Sequence, residues 1–239
     1  MDWIGLSYMK RRHVSKKLIF WDFQGTLAYN DYMFSKVLYK VLIKYDKDTS
    51  ITMDDFKRMK LAGFPWQDCE KKYNPKLWWI NAERIFFDTY VNMGISQEKV
   101  LQYARSIKGE LIKAEDFKLY DDSLDVLKYF KEKGYTSVIL SNHIPELDII
   151  ASKLGLDKYI DYCISSGEVG YEKPNPNIFK YALDSYENNN EIWMIGDNIE
   201  ADVRGAERMG LNAILVRQDK GEDVTYFSKD LYGVKDIIR

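Results

Sequence analysis

Leu18-Ile19-Phe20-Trp21-Asp22-Phe23-Gln24-Gly25-Thr26-Leu27 is the stretch whose reading decides the fold. Four consecutive apolar or aromatic residues, Leu18 to Trp21, predict a short strand buried on both faces. Asp22 stands where that strand ends, just ahead of a Gly25-Thr26 turn. Open α/β sheets keep their ligands at the carboxyl ends of their strands. Burying a carboxylate there for packing alone would cost several kcal/mol or shift its pKa. Asp22 therefore has a use in chemistry or, on the blander reading, starts a turn.

Working outward, the pattern changes after this strand. From about Asp31 to Lys113 there is helical spacing and aromatic density but no strand alternation. Phe34, Val37, Leu38, Val41 and Leu42 make the stripe of an amphipathic helix over Asp31 to Tyr45. Thr52 caps a second helix towards Leu61, with acids in its first turn, and Gly63 and Pro65 break it. Leu77 to Val91 and Ser96 to Lys113 read as two more, the last with Val100, Leu101, Ala104, Ile107 and Leu111 on one face.

From Tyr120 the chain alternates strand and helix. Asp121 or Asp122 caps a helix with Leu124, Leu127 and Phe130 inward, closed by Gly134. Thr136 to Leu140 is a buried strand, and Pro145 to Leu154 a helix. Tyr162 to Ile164 is a strand, and Asn175-Pro176 starts the next helix with proline at its first position. Glu191 to Ile195, Glu200 to Met209 and Ala213 to Val216 continue as strand, helix and strand. The expected fold class is α/β, a doubly wound parallel sheet with an inserted all-helical segment.

Composition narrows the function classes. The 239 residues carry 46 % hydrophobic and 30 % charged residues, ordinary for a globular protein. A net charge of −2 gives no electrostatic case for nucleic acid or an anionic membrane as partner. No apolar run reaches the roughly 20 residues of a membrane span. The basic start, Lys10-Arg11-Arg12 and Lys16-Lys17, reads as a solvated arm, with no apolar run after it to make a signal peptide. Cys69 and Cys163 match no metal or redox spacing, which points to a reduced, cytoplasmic setting. Cys163 reads as a small core residue, and a monomer or homodimer is expected.

Polar residues recur just past each strand: Asp22, Gln24 and Thr26; Ser141, Asn142 and His143; Lys173; Gly196 and Asp197, then Asp202. Taken singly, each has a bland reading as a turn, a surface lysine or a helix cap. In a doubly wound sheet the loops that hold them converge. Carboxylates without a cysteine or histidine cluster favour a hard cation, by default Mg²⁺. A lysine, a hydroxyl and backbone amides beside it suit a phosphoryl group, and a central carboxylate can attack phosphorus.

In that order, Asp22-Phe23-Gln24-Gly25-Thr26, Ser141-Asn142, Lys173-Pro174-Asn175-Pro176 and Gly196-Asp197-Asn198-Ile199-Glu200-Ala201-Asp202 resemble the four motifs of the haloacid dehalogenase superfamily. The helical insert resembles the C1 cap of its phosphoglycolate phosphatase and β-phosphoglucomutase-like branch. The resemblance implies a Rossmann-like core from residues 1–28 and 117–239 and a cap from 29–116. It implies Asp22 as nucleophile and Mg²⁺ ligand, and the Gln24 carbonyl as a second ligand. It gives Thr26, Ser141 and the Asn142 backbone to the phosphoryl oxygens and Lys173 to charge balance. It makes Asp197 a direct metal ligand, and Asp202 a ligand or an orienter of metal waters.

One position departs. The phosphatases carry a second aspartate, the general acid and base, where this chain has Gln24. An amide orients but cannot give or take a proton, and positioned acid–base help is worth ~10²–10⁴ in rate. The expectation is a slow or leaving-group-selective phosphatase of a small phosphorylated metabolite. Two alternatives stay open: a dehalogenase- or phosphonatase-type hydrolase, and a phosphate-binding protein with little turnover. His143 reads as a loop histidine, with a substitute acid–base role as the alternative. Tyr73, Trp66, Trp78, Trp79, Phe86 and Phe87 are expected to pack. Lys57, Arg58 and Lys60 read as a solvated face, or else as partners for a second substrate anion.

Overall fold

The Leu18–Trp21 run becomes the centre of a six-stranded parallel sheet in a computed structural model of the chain. Residues 17–59, 61, 64, 70, 72–184, 186, 191–219 and 223–238 are described. The basic start before Lys17, and Lys60, Gly63, Pro65, Trp66 and Cys69, lie outside them. The strands are β1 (Lys17–Trp21), β4 (Thr136–Ser141), β5 (Tyr162–Ser165), β6 (Glu191–Gly196), β7 (Asn212–Val216) and β8 (Tyr226–Ser228), in the order β5-β4-β1-β6-β7-β8. The order reverses at β1, so its carboxyl end faces the switch-point crevice.

Strand alternation explains why β1 is apolar throughout. Ile19 and Trp21 join the cluster holding Leu127, Phe130 and Ile150, whereas Leu18 and Phe20 join the one holding Ile178, Phe179 and Val203. One face is thus covered by α5 (Ser123–Glu132) and α6 (Leu147–Lys153). The other is covered by α8 (Pro176–Leu183) and by the turn Ile199–Arg204 that runs on into α9 (Gly205–Glu207). The Trp21 indole finds its polar partner inside, donating to Ser137 Oγ at 3.2 Å.

Between β1 and β4 every regular element from 33 to 111 among the described residues is helical: α1 (Met33–Tyr45), α2 (Met53–Arg58), a 3₁₀ turn at Pro75–Leu77, α3 (Trp78–Asn92) and α4 (Gln97–Leu111). Thr52 does cap α2, and Asp55 returns the bond in a full capping box. Two short strands that periodicity misses, β2 (Ala28–Tyr29) and β3 (Lys118–Leu119), pair antiparallel where the chain leaves and re-enters the sheet layer. Two residues are too few to show a period. The remaining elements are a 3₁₀ turn at Leu156–Lys158, α7 (Ser166–Val169) and α10 (Val234–Ile237).

Several expectations are corrected. Leu101 is 47 % exposed and Leu124 38 %, while Tyr103 and Val126 take the buried positions. In each case the other face residues fall at helical spacing and the misplaced leucine sits about 100° away. Asp122 does not cap α5; its carboxylate takes the Arg217 guanidinium and the Leu231 N–H. The helix expected from Glu200 begins as a π turn at Ile199 and runs on as α9 only from Gly205 to Glu207. No helix among the described residues is long and apolar enough to cross a membrane.

The helical block meets the sheet layer through polar latches. The Tyr73 hydroxyl donates to Glu172 Oε1 at 2.8 Å, and its N–H donates to the Gly170 carbonyl at 3.0 Å. The Trp79 indole donates to Glu146 Oε2 at 2.8 Å, beside an ion pair from Lys108 to the same carboxylate. Phe86 is fully buried inside the block, and Trp78 nearly so.

Candidate active site

Asp22 leaves β1 without breaking the ladder, its N–H donating to the Ile195 carbonyl of β6 at 2.8 Å. The chain then turns sharply: the N–H groups of Leu27 and Ala28 both reach the Phe23 carbonyl, at 3.0 and 2.9 Å. Gly25 sits at φ +95°, and a Cβ there would lie 2.4 Å from the Asp197 carboxylate. Only glycine fits both the backbone and the space. Across the same gap the Thr26 hydroxyl donates to Asp197 Oδ1 at 3.3 Å. The Gln24 carbonyl takes no part in the turn bonds, which use Phe23, Gly25 and Ala28.

Lys173 is the hub. Its ammonium is buried and donates to Asp22 Oδ1 at 2.8 Å and to Asp202 Oδ1 at 2.5 Å. Asp202 Oδ2 accepts from the Asn198 N–H at 3.0 Å, and Gly196 leaves the room: a Cβ there would meet Asp202 at 2.1 Å. Asp22, Asp197 and Asp202 each offer a carboxylate oxygen, and the three lie within 4.8 Å of one another. The structure thus brings together every strand-end acid and the lysine named from the sequence.

Three carboxylates and one ammonium in so small a space leave an excess of negative charge. Burial by itself would lower the Lys173 pKa, but Asp202 and Asp22 reverse that and hold the ammonium charged. Burial raises Asp197, with repulsion from Asp22 adding to it. Burial also raises Asp202, against the pull of Lys173 and with repulsion from Asp22 adding to it. Oxygen donors with uncompensated charge fit a hard divalent cation such as Mg²⁺.

Ser141 ends β4 fully buried, opposite Ser165 of β5. Asn142, expected to act through its backbone, uses its side chain to clamp Lys173, accepting from its N–H at 2.7 Å and donating to its carbonyl at 2.9 Å. The half-buried Gln24 turns its amide towards the Asn30 carbonyl, 3.5 Å away, at the start of the helical block. Arg217 was missed: it follows β7, donates from Nε to the Thr26 carbonyl at 2.8 Å, and lies 3.7 Å over the Tyr120 ring. The signal was present, since Arg217 is a polar residue immediately after a strand.

A cavity of about 220 Å³ adjoins Lys173 and Asn142, walled by Met33, Phe34, Trp78, His143, Ile144 and Glu172. His143 lies in the loop after β4, as expected, and is buried in this wall. Lys57 and Arg58 do not line the cavity; they pair along their own helix with Asp54 and Asp55. Burial pushes the Glu172 carboxyl up to about 7, against hydrogen bonds from Ser166 and Tyr73.

Residues 16–210 match the family model of haloacid dehalogenase-like hydrolases. Phosphoserine phosphatase of Thermus thermophilus is 32% identical over 143 residues, 58% of this chain and 55% of that protein. (S)-2-haloacid dehalogenase 4A of Burkholderia cepacia is 31% identical over 121 residues, 49% of this chain and 52% of that protein. The chain thus spans about half the length of these curated relatives. Among solved structures, the magnesium-bound putative HAD-hydrolase YfnB of Bacillus subtilis superposes with a TM-score of 0.69 at 18% identity, covering 95% of this chain and 99% of that one. With its four strand-end motifs gathered at one sheet edge and the family match running over most of its length, this chain belongs to the haloacid dehalogenase-like hydrolases.

Proposed function

We propose that the chain is a Mg²⁺-dependent phosphatase of a small phosphorylated metabolite, working through an aspartyl-phosphate on Asp22. The observation that carries this reading is the buried Lys173 ammonium shared by Asp22 and Asp202, with Asp197 beside them. Asp22, Asp197, Asp202 and the Gln24 carbonyl would hold the metal. When bound, it supplies Lewis-acid neutralisation of phosphoryl charge.

The remaining steps belong to the chain. An Asp22 oxygen attacks phosphorus, and the bond from phosphorus to the ester oxygen breaks. The leaving alkoxide takes its proton from water. A second water then attacks the acyl-phosphate, releasing phosphate and restoring Asp22. Lys173 keeps Asp22 oriented and offsets the charge that accumulates. Thr26, Ser141 and the Asn142 N–H donate to the phosphoryl oxygens. Residues 29–116 act as a cap over a core of 1–28 and 117–239, excluding water during the reaction.

Gln24 supplies no proton, so turnover favours acyl and aryl phosphates, whose leaving groups depart unprotonated. The same residue favours a second reading, a phosphate-binding protein with little turnover. Hydrolysis of p-nitrophenyl phosphate and of ethyl phosphate with Mg²⁺ and with EDTA, for wild type, Asp22→Asn and Gln24→Asp, decides. Metal- and Asp22-dependent turnover is expected, raised ~10²-fold or more for alkyl phosphates by Gln24→Asp. Turnover only in Gln24→Asp supports the binding reading, and turnover untouched by EDTA overturns the Mg²⁺-dependent reading.

A further inference from the structure

Arg217 is a largely buried cation that the phosphatase reading leaves without a task. It is the first residue past β7 and holds a backbone φ of +62°, in the left-handed region that residues other than glycine seldom adopt. Strain of this kind persists where the surrounding structure holds it in place, and it clusters at functional sites. The guanidinium has three partners. Nε donates to the Thr26 carbonyl at 2.8 Å, Nη2 pairs with Asp122 Oδ1, and the group lies 3.7 Å over the Tyr120 ring. Asp122 is itself fixed, its other oxygen accepting from the Leu231 N–H at 2.8 Å.

What Arg217 holds is the turn that follows the nucleophile. Thr26 comes directly after Gly25, the residue type with the most backbone freedom. The Thr26 N–H reaches the Phe23 carbonyl only at 3.4 Å, beyond the ordinary range of such a bond. The bond from Arg217 to its carbonyl is short and comes from a charged donor, and charge-assisted bonds are roughly twice as strong as neutral ones. The guanidinium therefore sets the Thr26 peptide. The Thr26 hydroxyl, 3.3 Å from Asp197 Oδ1, is only loosely engaged. The three partners of Arg217 include none of Asp22, Lys173, Asp197 and Asp202, so its contacts reach the site through Thr26.

Resting on the phosphatase reading, we propose that Arg217 is the positioning residue of this phosphate turn. It fixes the Thr26 peptide, and with it the direction in which the Thr26 hydroxyl donates to a phosphoryl oxygen. Lysine is no substitute, because one ammonium lacks the planar fork that serves a carbonyl and a carboxylate at once while lying over a ring. Arg217→Lys keeps the charge and loses the aim, which separates positioning from long-range electrostatics.

The test is a double-mutant cycle of Arg217→Lys and Thr26→Val. It is read in kcat/KM for p-nitrophenyl phosphate and, without turnover, in the calorimetric Kd for inorganic phosphate, both with Mg²⁺. In the wild-type background Arg217→Lys should cost about tenfold or more in each quantity. With Thr26 already replaced by valine, the same substitution should cost about twofold or less, since the hydroxyl it would misaim is gone. Asp122→Asn keeps an acceptor for the Leu231 N–H but loosens the guanidinium. It should show the same coupling to Thr26→Val at smaller size, and it carries the test should Arg217→Lys fail to fold. An Arg217 that serves the fold alone gives losses that add. Equal losses with and without the Thr26 hydroxyl therefore overturn the proposal even with turnover intact. Coupled losses in phosphate binding, in a wild type that turns nothing over, overturn the phosphatase reading instead and leave Arg217 in its role.

Discussion

The Asn142 carboxamide grips Lys173 by both of its backbone polar groups, at 2.7 and 2.9 Å. It joins the end of β4 to the loop that carries the lysine, so the ammonium is aimed by a residue 31 positions away in sequence. Asn142→Ala should lose both bonds, costing about 1–2 kcal/mol of stability and more than tenfold in kcat as Lys173 loses its aim. Urea unfolding and steady-state kinetics read the two effects separately. Full activity in Asn142→Ala would contradict a positioning role.

Gly25 is held to glycine by its φ of +95° and by the Asp197 carboxylate where a Cβ would go. Backbone strain of this kind is worth on the order of 1–3 kcal/mol. Gly25→Ala should therefore lower stability by that amount and displace Asp197, weakening Mg²⁺ binding at least tenfold. Calorimetric titration with Mg²⁺ measures the second effect directly.

The latch from Tyr73 to Glu172 should be pH-sensitive. The folded-state pKa of Glu172, about 7, lies above the unfolded value near 4.5. Between those values the folded state binds more protons, so stability falls as pH rises. The contribution is fully present below about pH 4.5 and lost by about pH 7, on the order of 3 kcal/mol across the window. Glu172→Gln should flatten that slope. The measurement is the stability difference between wild type and variant at pH 5 and pH 7.5, which should change sign or shrink.

Mg²⁺ should stabilise the fold by mass action. At a hundredfold excess over Kd the gain is about 2.7 kcal/mol, or roughly 5–10 °C in Tm for a chain of this size. Asp197→Asn should abolish most of the shift, since it removes one of the three clustered carboxylates. A thermal scan with and without Mg²⁺, in both proteins, is sufficient.

By itself the sequence determined the order of the longer strands and helices, because buried parallel strands show as apolar runs and core-facing helices as a 3.6-residue stripe. It also named Asp22, Thr26, Ser141, Lys173, Asp197 and Asp202, since each is a polar residue directly after such a run or at a motif's spacing from one. Tertiary structure alone decided how they meet. Lys173 bridges Asp22, 151 positions away, and Asp202, 29 away, and no local period encodes either distance. The same holds for the Asn142 clamp, for Arg217 on the Thr26 carbonyl, and for a His143 ring buried with its nitrogens unpaired. Leu101 and Leu124 show the limit from the other side: hydrophobicity proposes a buried face, but helix rotation against its neighbours chooses it. Chain order fixes which residues arrive at the sheet edge, and packing across the sheet fixes which atoms touch there.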